Sequence, residues 1–154
     1  MNSKRAIEST LQDLYEHDYY LWLQETSRLL KIKDFTNLDL ENLIEEIESL
    51  GKKERDKLIS SLRLIYHHLL KWQYQPNKRS KSWNDTIIRE RDNISDYIED
   101  TPSLKSLLQD TVILAKAYQR GRRDAMRETE VTNLPQKCPY SIEQTLERNF
   151  LPEN

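Results

Sequence analysis

Apolar residues recur along this chain at three- and four-residue intervals, the spacing of one face of a helix. With residues placed at about 100° each, Leu40, Leu43, Ile44, Ile47, Leu58, Leu62, Ile65, Leu69 and Trp72 fall on one stripe. Gly51 lies on the same stripe. A glycine there suits a helix stop, because it takes the left-handed conformation easily. A stop and restart would shift the phase, however, and the phase is unchanged across Gly51. The pattern predicts one helix from about Asp39 to Tyr74, about 54 Å long at 1.5 Å per residue. Asp39 is its expected N-cap and Pro76 ends it, since proline disfavours helix in the residue before it. Gly51 is then expected to be a close-packing point.

The other periodic segments are shorter. Tyr19 to about Ile32 carries Trp22, Leu29 and Leu30, with Asp18 placed to cap it. Ala6 to Glu16 is either an additional helix or a loose arm, with Ile7, Leu11 and Leu14 at helical spacing. Ser82 or Ser80 opens a helix with the stripe Trp83, Ile87, Ile94 and Ile98. Asp100-Thr101-Pro102 ends it and starts another that runs to about Glu128, with proline tolerated in the first turn. Leu104, Leu107, Leu108, Ala115, Tyr118, Ala125 and Met126 share a face of that helix. Asn133 to Pro139 reads as an extended connection, and Ser141-Ile142-Glu143-Gln144 as a capping box for a short last helix. The expected fold is all-α: an antiparallel bundle of about four main helices plus a short C-terminal one. The Tyr19–Ile32 helix should cover the first half of the long helix, and the one opening near Ser82 its second half.

Composition agrees with this pattern. Two glycines, five prolines and 32% charged residues in 154 suit long helices with solvated outer faces. The length fits one domain spanning 1–154, with 1–17 as the arm or extra helix. A formal net charge of −2 argues against a protein built wholly around nucleic acid. A single cysteine, Cys138, excludes an intramolecular disulfide and a cysteine-based zinc site within one chain. No apolar run approaches the roughly 20 residues of a membrane span, and Met1 to Arg5 lacks a secretory signal's apolar stretch. The expected compartment is the cytoplasm.

Several short motifs stand in order: Asp18-Tyr19-Tyr20-Leu21-Trp22, then Leu38 to Leu43 with Glu45 to Gly51, then His68-Leu69-Leu70-Lys71-Trp72-Gln73-Tyr74-Gln75-Pro76. Ser82-Trp83, Thr86-Ile87, Pro102-Ser103-Leu104 and Cys138-Pro139-Tyr140 follow. Over nearly the whole chain this resembles the bacterial, largely cyanobacterial, "domain of unknown function 29" family. The resemblance implies a small all-helical domain and brings no activity and no catalytic residues.

Candidate chemistry is sparse. Glu41, Glu45, Glu46, Glu48, His67 and His68 lie on the long helix, but no Glu-x-x-His pair of the di-metal bundles occurs. No metal or cofactor is expected. Cys138 precedes a proline in a connection and reads as a structural thiol rather than a nucleophile paired with His17, His67 or His68. Two clusters stand out. Asp18, Glu54, Glu90, Arg91 and Arg122 fall near apolar stripes, and buried charges need partners. They are expected to form an interhelical ion-pair network, with Arg122 pairing with Asp18, Glu90 or above all Glu54. The alternative for the same residues is a charged pocket. The segment Lys71 to Trp83 combines four cations and three aromatics, a mixture that suits phosphate neutralisation and base stacking. Lys71, Tyr74, Lys78, Arg79 and Lys81 are its candidate surface. Trp72 and Trp83 sit at stripe positions and should be mostly buried, bracketing an exposed loop from Asn77 to Lys81.

Three functional classes follow. A non-catalytic protein–protein interaction or assembly module, binding another protein or itself, stands first. Nucleic-acid binding through 71–83 is the alternative, and an enzyme with a charged interhelical pocket is the third.

Overall fold

The structure is a computed structural model that describes residues 11–153. Among them it contains helices and connections but no strand. Residues 11–17 are helical (α1); the earlier part of the Ala6–Glu16 segment, with Ile7, lies outside the described residues. The helices that follow are α2 (Tyr19–Lys31), α3 (Leu40–Tyr74), α4 (Lys81–Asp100), α5 (Thr111–Thr129) and α6 (Ile142–Leu146). Short 3₁₀ segments lie at Phe35–Asn37, Pro76–Lys78 and Pro102–Gln109. By contact density the chain divides into two compact units, Met1–Lys52 and Lys53–Asn154.

Local chemistry sets most of the element ends. Asp18 caps α2 by accepting from the Leu21 amide at 3.1 Å. Ser80, the earlier of the two candidate serines, caps α4. Ser141 and Gln144 complete the expected capping box on α6. The long helix runs unbroken through Gly51, as its stripe requires. The segment from Thr101 to Glu128 is not one helix. A 3₁₀ run ends at Asp110, whose carboxylate accepts from the Val112 and Ile113 amides at 2.9 and 3.2 Å and so starts α5 afresh. Lys33 and Glu130 take left-handed backbone angles, φ 58° and 60°, in the turn after α2 and at the end of α5. With only two glycines in the chain, these turns fall to ordinary residues.

In the N-terminal unit α2 and the start of α3 form an antiparallel hairpin. The indole of buried Trp22 donates to Asp39 at 3.2 Å, and the Tyr15 and Tyr19 hydroxyls each donate to Glu46 at 2.7 Å. Asp39 stands immediately before α3, its carbonyl accepts from the Leu43 amide, and its carboxylate also accepts from the Asn42 side chain in the first turn at 2.7 Å. Among the described residues the unit's buried apolar cluster comprises Leu11, Trp22 and Leu29, with Leu14, Tyr15, Leu38 and Leu43 packed on it.

The C-terminal unit has a full core. Leu58, Leu62, Ile65 and Leu69 of α3, Ile87 and Ile94 of α4, and Ala117, Tyr118 and Ala125 of α5 are all buried. Each large apolar side chain so buried contributes about 1.5–3 kcal/mol. Ala115, expected on the α5 face, is exposed, and Ala117 takes the inward position. α4 runs antiparallel to α3, with Lys57 over the Tyr97 ring, Ser61 on Glu90 and Lys71 over Trp83. α5 returns parallel to α3, since Arg63 meets Asp124 and His67 meets Glu128.

The two glycines have opposite surroundings. A Cβ on Gly51 would meet nothing within 4 Å, so the expectation that Gly51 is a close-packing point is overturned. Gly121 is the close approach: a Cβ there would lie 2.6 Å from the Arg63 carbonyl and 3.0 Å from the His67 amide nitrogen.

Candidate functional site

Asp18, Glu54, Glu90, Arg91 and Arg122 do not converge on one network. Asp18 is exposed and caps α2. Glu54 pairs with Lys57, one turn along its own helix, at 2.9 Å. Glu90 is buried as expected, and accepts from Ser61 at 2.8 Å and from Arg89 at 3.0 Å. Arg122 donates through Nε and one Nη to the Leu134 carbonyl, so the expected Arg122–Glu54 pair is replaced by a backbone contact. A carbonyl carries a partial negative charge, and the extended segment after α5 brings this one within reach. Arg91 is buried too and also takes carbonyls rather than an acid. It donates to Gln144, Thr145, Arg148 and Phe150 at 2.8–3.2 Å. The end of α6 leaves carbonyls without helical donors, and a planar five-donor guanidinium fits several at once. Burial pushes Arg91 down to about 10, still charged at neutral pH.

The basic and aromatic segment is partly turned inward. Lys71 is only 4% exposed; its ammonium lies 4.2 Å from the centre of the Trp83 ring and 2.6 Å from Glu128. Arg79 donates to the Trp72 carbonyl at 2.8 Å and stacks over that indole. Lys81 pairs with Asp85, and Tyr74 packs against the core. Trp72 and Trp83 are largely but not fully buried, each with a cation over its ring. In the expected exposed loop, Asn77, Lys78 and Lys81 are exposed while Arg79 and Ser80 are half-buried. Cys138 is half-buried and donates to the Tyr140 carbonyl; burial raises its thiol, which keeps it protonated.

Charges do converge between α3 and α5. Arg63, His67, Asp124, Arg127 and Glu128 line an open groove of about 600 Å³. Arg63 and Arg127 both bond Asp124, and His67 and Lys71 both bond Glu128 at 2.6 Å. Lys71, then His67, hold the Glu128 carboxyl below its usual range. Burial works against the Asp124 carboxylate, but Arg63 outweighs it and the net shift is downward. Burial lowers His67 despite its carboxylate partner, so its neutral ring donates from Nε2 to Glu128. Each acid is already matched by two donors within the chain. The arrangement works as a latch between parallel helices. The sequence holds its signal in Arg63, His67 and Lys71 at four-residue steps opposite Asp124 and Glu128 at the same step, a pattern visible only once the two helices are known to pair. No group of three or more His, Cys, Asp or Glu among the described residues is placed to hold a metal ion.

The second feature is apolar. The large hydrophobic residues exposed among those described are Tyr19, Tyr20, Leu21, Leu23, Leu30, Ile32, Phe35, Leu40, Ile44, Ile47 and Leu50, all in the N-terminal unit, and Val112 alone in the other. Scattered surface leucines need no explanation, but a set confined to one small unit does. Taking 100° per residue, Leu23 and Leu30 lie about 80–100° round α2 from Trp22, and Leu40, Ile44 and Ile47 about 40–100° round α3 from Leu43, in the same sense. In an antiparallel pair, equal rotations from the contact line lead to the same side of the hairpin. The opposite side is where Leu11 and Leu14 of α1 group with Glu25, Arg28 and Leu29. Among the described residues the hairpin therefore has one side covered by α1 and one side that is apolar and exposed.

No helix among the described residues is long and apolar enough to cross a membrane. Among curated proteins and solved structures nothing matches the chain. A family model does match over residues 14–151, nearly the whole length and including both units, and the chain belongs to that family, Domain of unknown function DUF29.

Proposed function

We propose that this chain is a protein-binding module and that the exposed apolar side of the α2–α3 hairpin is its docking surface. The supporting observation is the confinement of exposed large hydrophobics to that unit, where Ile44 is 48% and Ile47 60% exposed. Contiguous apolar surface on an otherwise charged protein favours association, because covering it removes it from water. The charged α3–α5 groove supports a catalytic reading less well, since its acids are already matched within the chain.

The test is site-specific photo-crosslinking in the native host. A photoreactive residue at Ile47 or Leu30 is expected to give a discrete protein adduct, and one at exposed Lys116 in the other unit is expected to give none. Absence of any adduct from Ile47 and Leu30 would overturn the reading.

A further inference from the structure

We infer that the solvent face of α5 binds the phosphate backbone of duplex DNA without reading its sequence. This face lies wholly in the C-terminal unit, and the hairpin surface proposed above plays no part in it. Between Thr111 and Arg127 five cations stand against a single acid, Asp124, in a chain whose formal net charge is −2. Lys116, Arg120, Arg123 and Arg127 follow one another at steps of four, three and four residues. At 100° per residue they fall within about 60° of one another, on the side of α5 away from buried Tyr118, Gly121 and Ala125. Lys116, Arg120 and Arg123 also line an open cleft of about 460 Å³ with Arg122 and Met126.

A lack of partners sets this row apart. Elsewhere in the unit Lys57, Arg63, Lys71, Lys81, Arg89 and Arg148 each meet a carboxylate of the chain. Lys116, Arg120 and Arg123 make no ion pair or hydrogen bond among the described residues. Arg127 reaches an acid, Asp124, which Arg63 already holds. The segment beside α5, Asn133 to Lys137, supplies backbone carbonyls to Gln119 and Arg122 but contains no acid. A solvated helix face ordinarily interleaves the two signs, as Lys81 and Asp85 do on α4. Like charges three and four residues apart repel instead. A polyanion laid along the row turns that repulsion into attraction and releases its own counterions.

The make-up of the face favours duplex DNA. Three of the four cations in the row are arginines, whose planar guanidiniums take phosphate oxygens in pairs. The row spans about 16 Å at 1.5 Å per residue, enough to bridge the two phosphate rims of a B-DNA major groove about 12 Å wide. The major groove of duplex RNA is deep and narrow. Tyr118, the aromatic residue of α5, is buried and cannot stack on the bases of a single strand. Val112, at one end, is the large hydrophobic exposed in this unit among the described residues. An acidic protein would therefore find no apolar centre to cover, and a bilayer no apolar face to take up.

Fluorescence anisotropy of a labelled, mixed-sequence DNA duplex with the full chain tests this. Binding is expected at low salt, and log affinity should fall against log salt with a slope of about −3 to −4, the share of four phosphate contacts. A duplex of different sequence should bind within about twofold. Lys116→Glu with Arg123→Glu reverses two exposed, unpaired side chains, so helical circular dichroism should be unchanged while affinity falls about tenfold or more. Lys78→Glu with Lys81→Glu makes the same charge change on the 71–83 segment and should leave affinity within about threefold. No binding at low salt, or an equal loss from both double variants, would overturn the inference. Tighter binding to duplex RNA, polyglutamate or vesicles of anionic lipid than to duplex DNA would overturn it as well.

Discussion

Helix α3 carries one kind of apolar stripe along its length, yet its two parts meet different fates. Leu40, Ile44, Ile47 and Leu50 are exposed, whereas Leu58, Leu62, Ile65, Leu69 and Leu70 are fully buried. Periodicity states which side of a helix prefers to leave water; whether a neighbour covers that side depends on the rest of the chain. In the C-terminal unit α4, α5 and the segment after them cover it. In the N-terminal unit α2 and the described part of α1 leave Leu40, Ile44, Ile47 and Leu50 exposed. A stripe that is complete in sequence and unpartnered in structure marks where association belongs.

The largest expected effect opposes the two parts directly. Leu62→Ala removes a side chain with no exposed surface from the middle of the core and should cost about 2–5 kcal/mol. Ile47→Ala, on the same helix, should stay within about 0.5 kcal/mol. Chemical denaturation of both variants measures this, and equal losses would mean that the first part of α3 is covered after all. Gly121→Ala comes next. Its Cβ would press on the Arg63 carbonyl and the His67 amide of α3, both backbone atoms that cannot rotate away. The expected loss is about 1–3 kcal/mol, accompanied by loosening of the His67–Glu128 contact, visible as a shift in the His67 ring resonances.

Most of the fold was legible in the sequence. The α3 stripe carried its own proof of continuity across Gly51, and Asp18, Ser80 and Ser141 announced the starts of α2, α4 and α6 by the chemistry of orphan amides. The break at Asp110 was harder, because the apolar phase runs on through it and only a short side chain claiming two amides marks the restart. The candidate network failed for a different reason. Angular position tells that Arg91 and Arg122 point inward, but carbonyls of an irregular segment are invisible to any pattern, and they rather than acids receive both guanidiniums. Lys71 shows the converse: it read as part of a surface through the cations further along, Lys78, Arg79 and Lys81, while its neighbours in space are Trp83 and Glu128.

Acid should find the two units unequal. Burial pushes His68 down to about 4, whereas an unfolded histidine titrates near 6.5. Between those values the unfolded chain binds a proton that the folded chain does not, so stability falls as pH drops from about 6.5 to about 4. His67 is lowered by burial as well and acts in the same direction. Asp124 and Glu128 are also depressed; their contribution is present above the ordinary carboxylate range and is lost as pH falls through their folded values. The histidines therefore act first and the carboxylates at lower pH, and all four lie in the C-terminal unit. His68→Gln should flatten urea-unfolding stability between about pH 6.5 and 4 and leave the lower limb in place. An unchanged profile would place the histidine's proton uptake elsewhere.

The smallest effect sharpens the comparison most. Gly51 is helical, has no left-handed angle to protect and meets nothing within 4 Å, so within one chain it has no packing role. Gly51→Ala should then stabilise α3 by up to about 1 kcal/mol, the ordinary difference in helix propensity. Thermal unfolding measures the gain. Loss of stability would contradict the open surroundings of Gly51 and, with them, the contrast between the two parts of the helix.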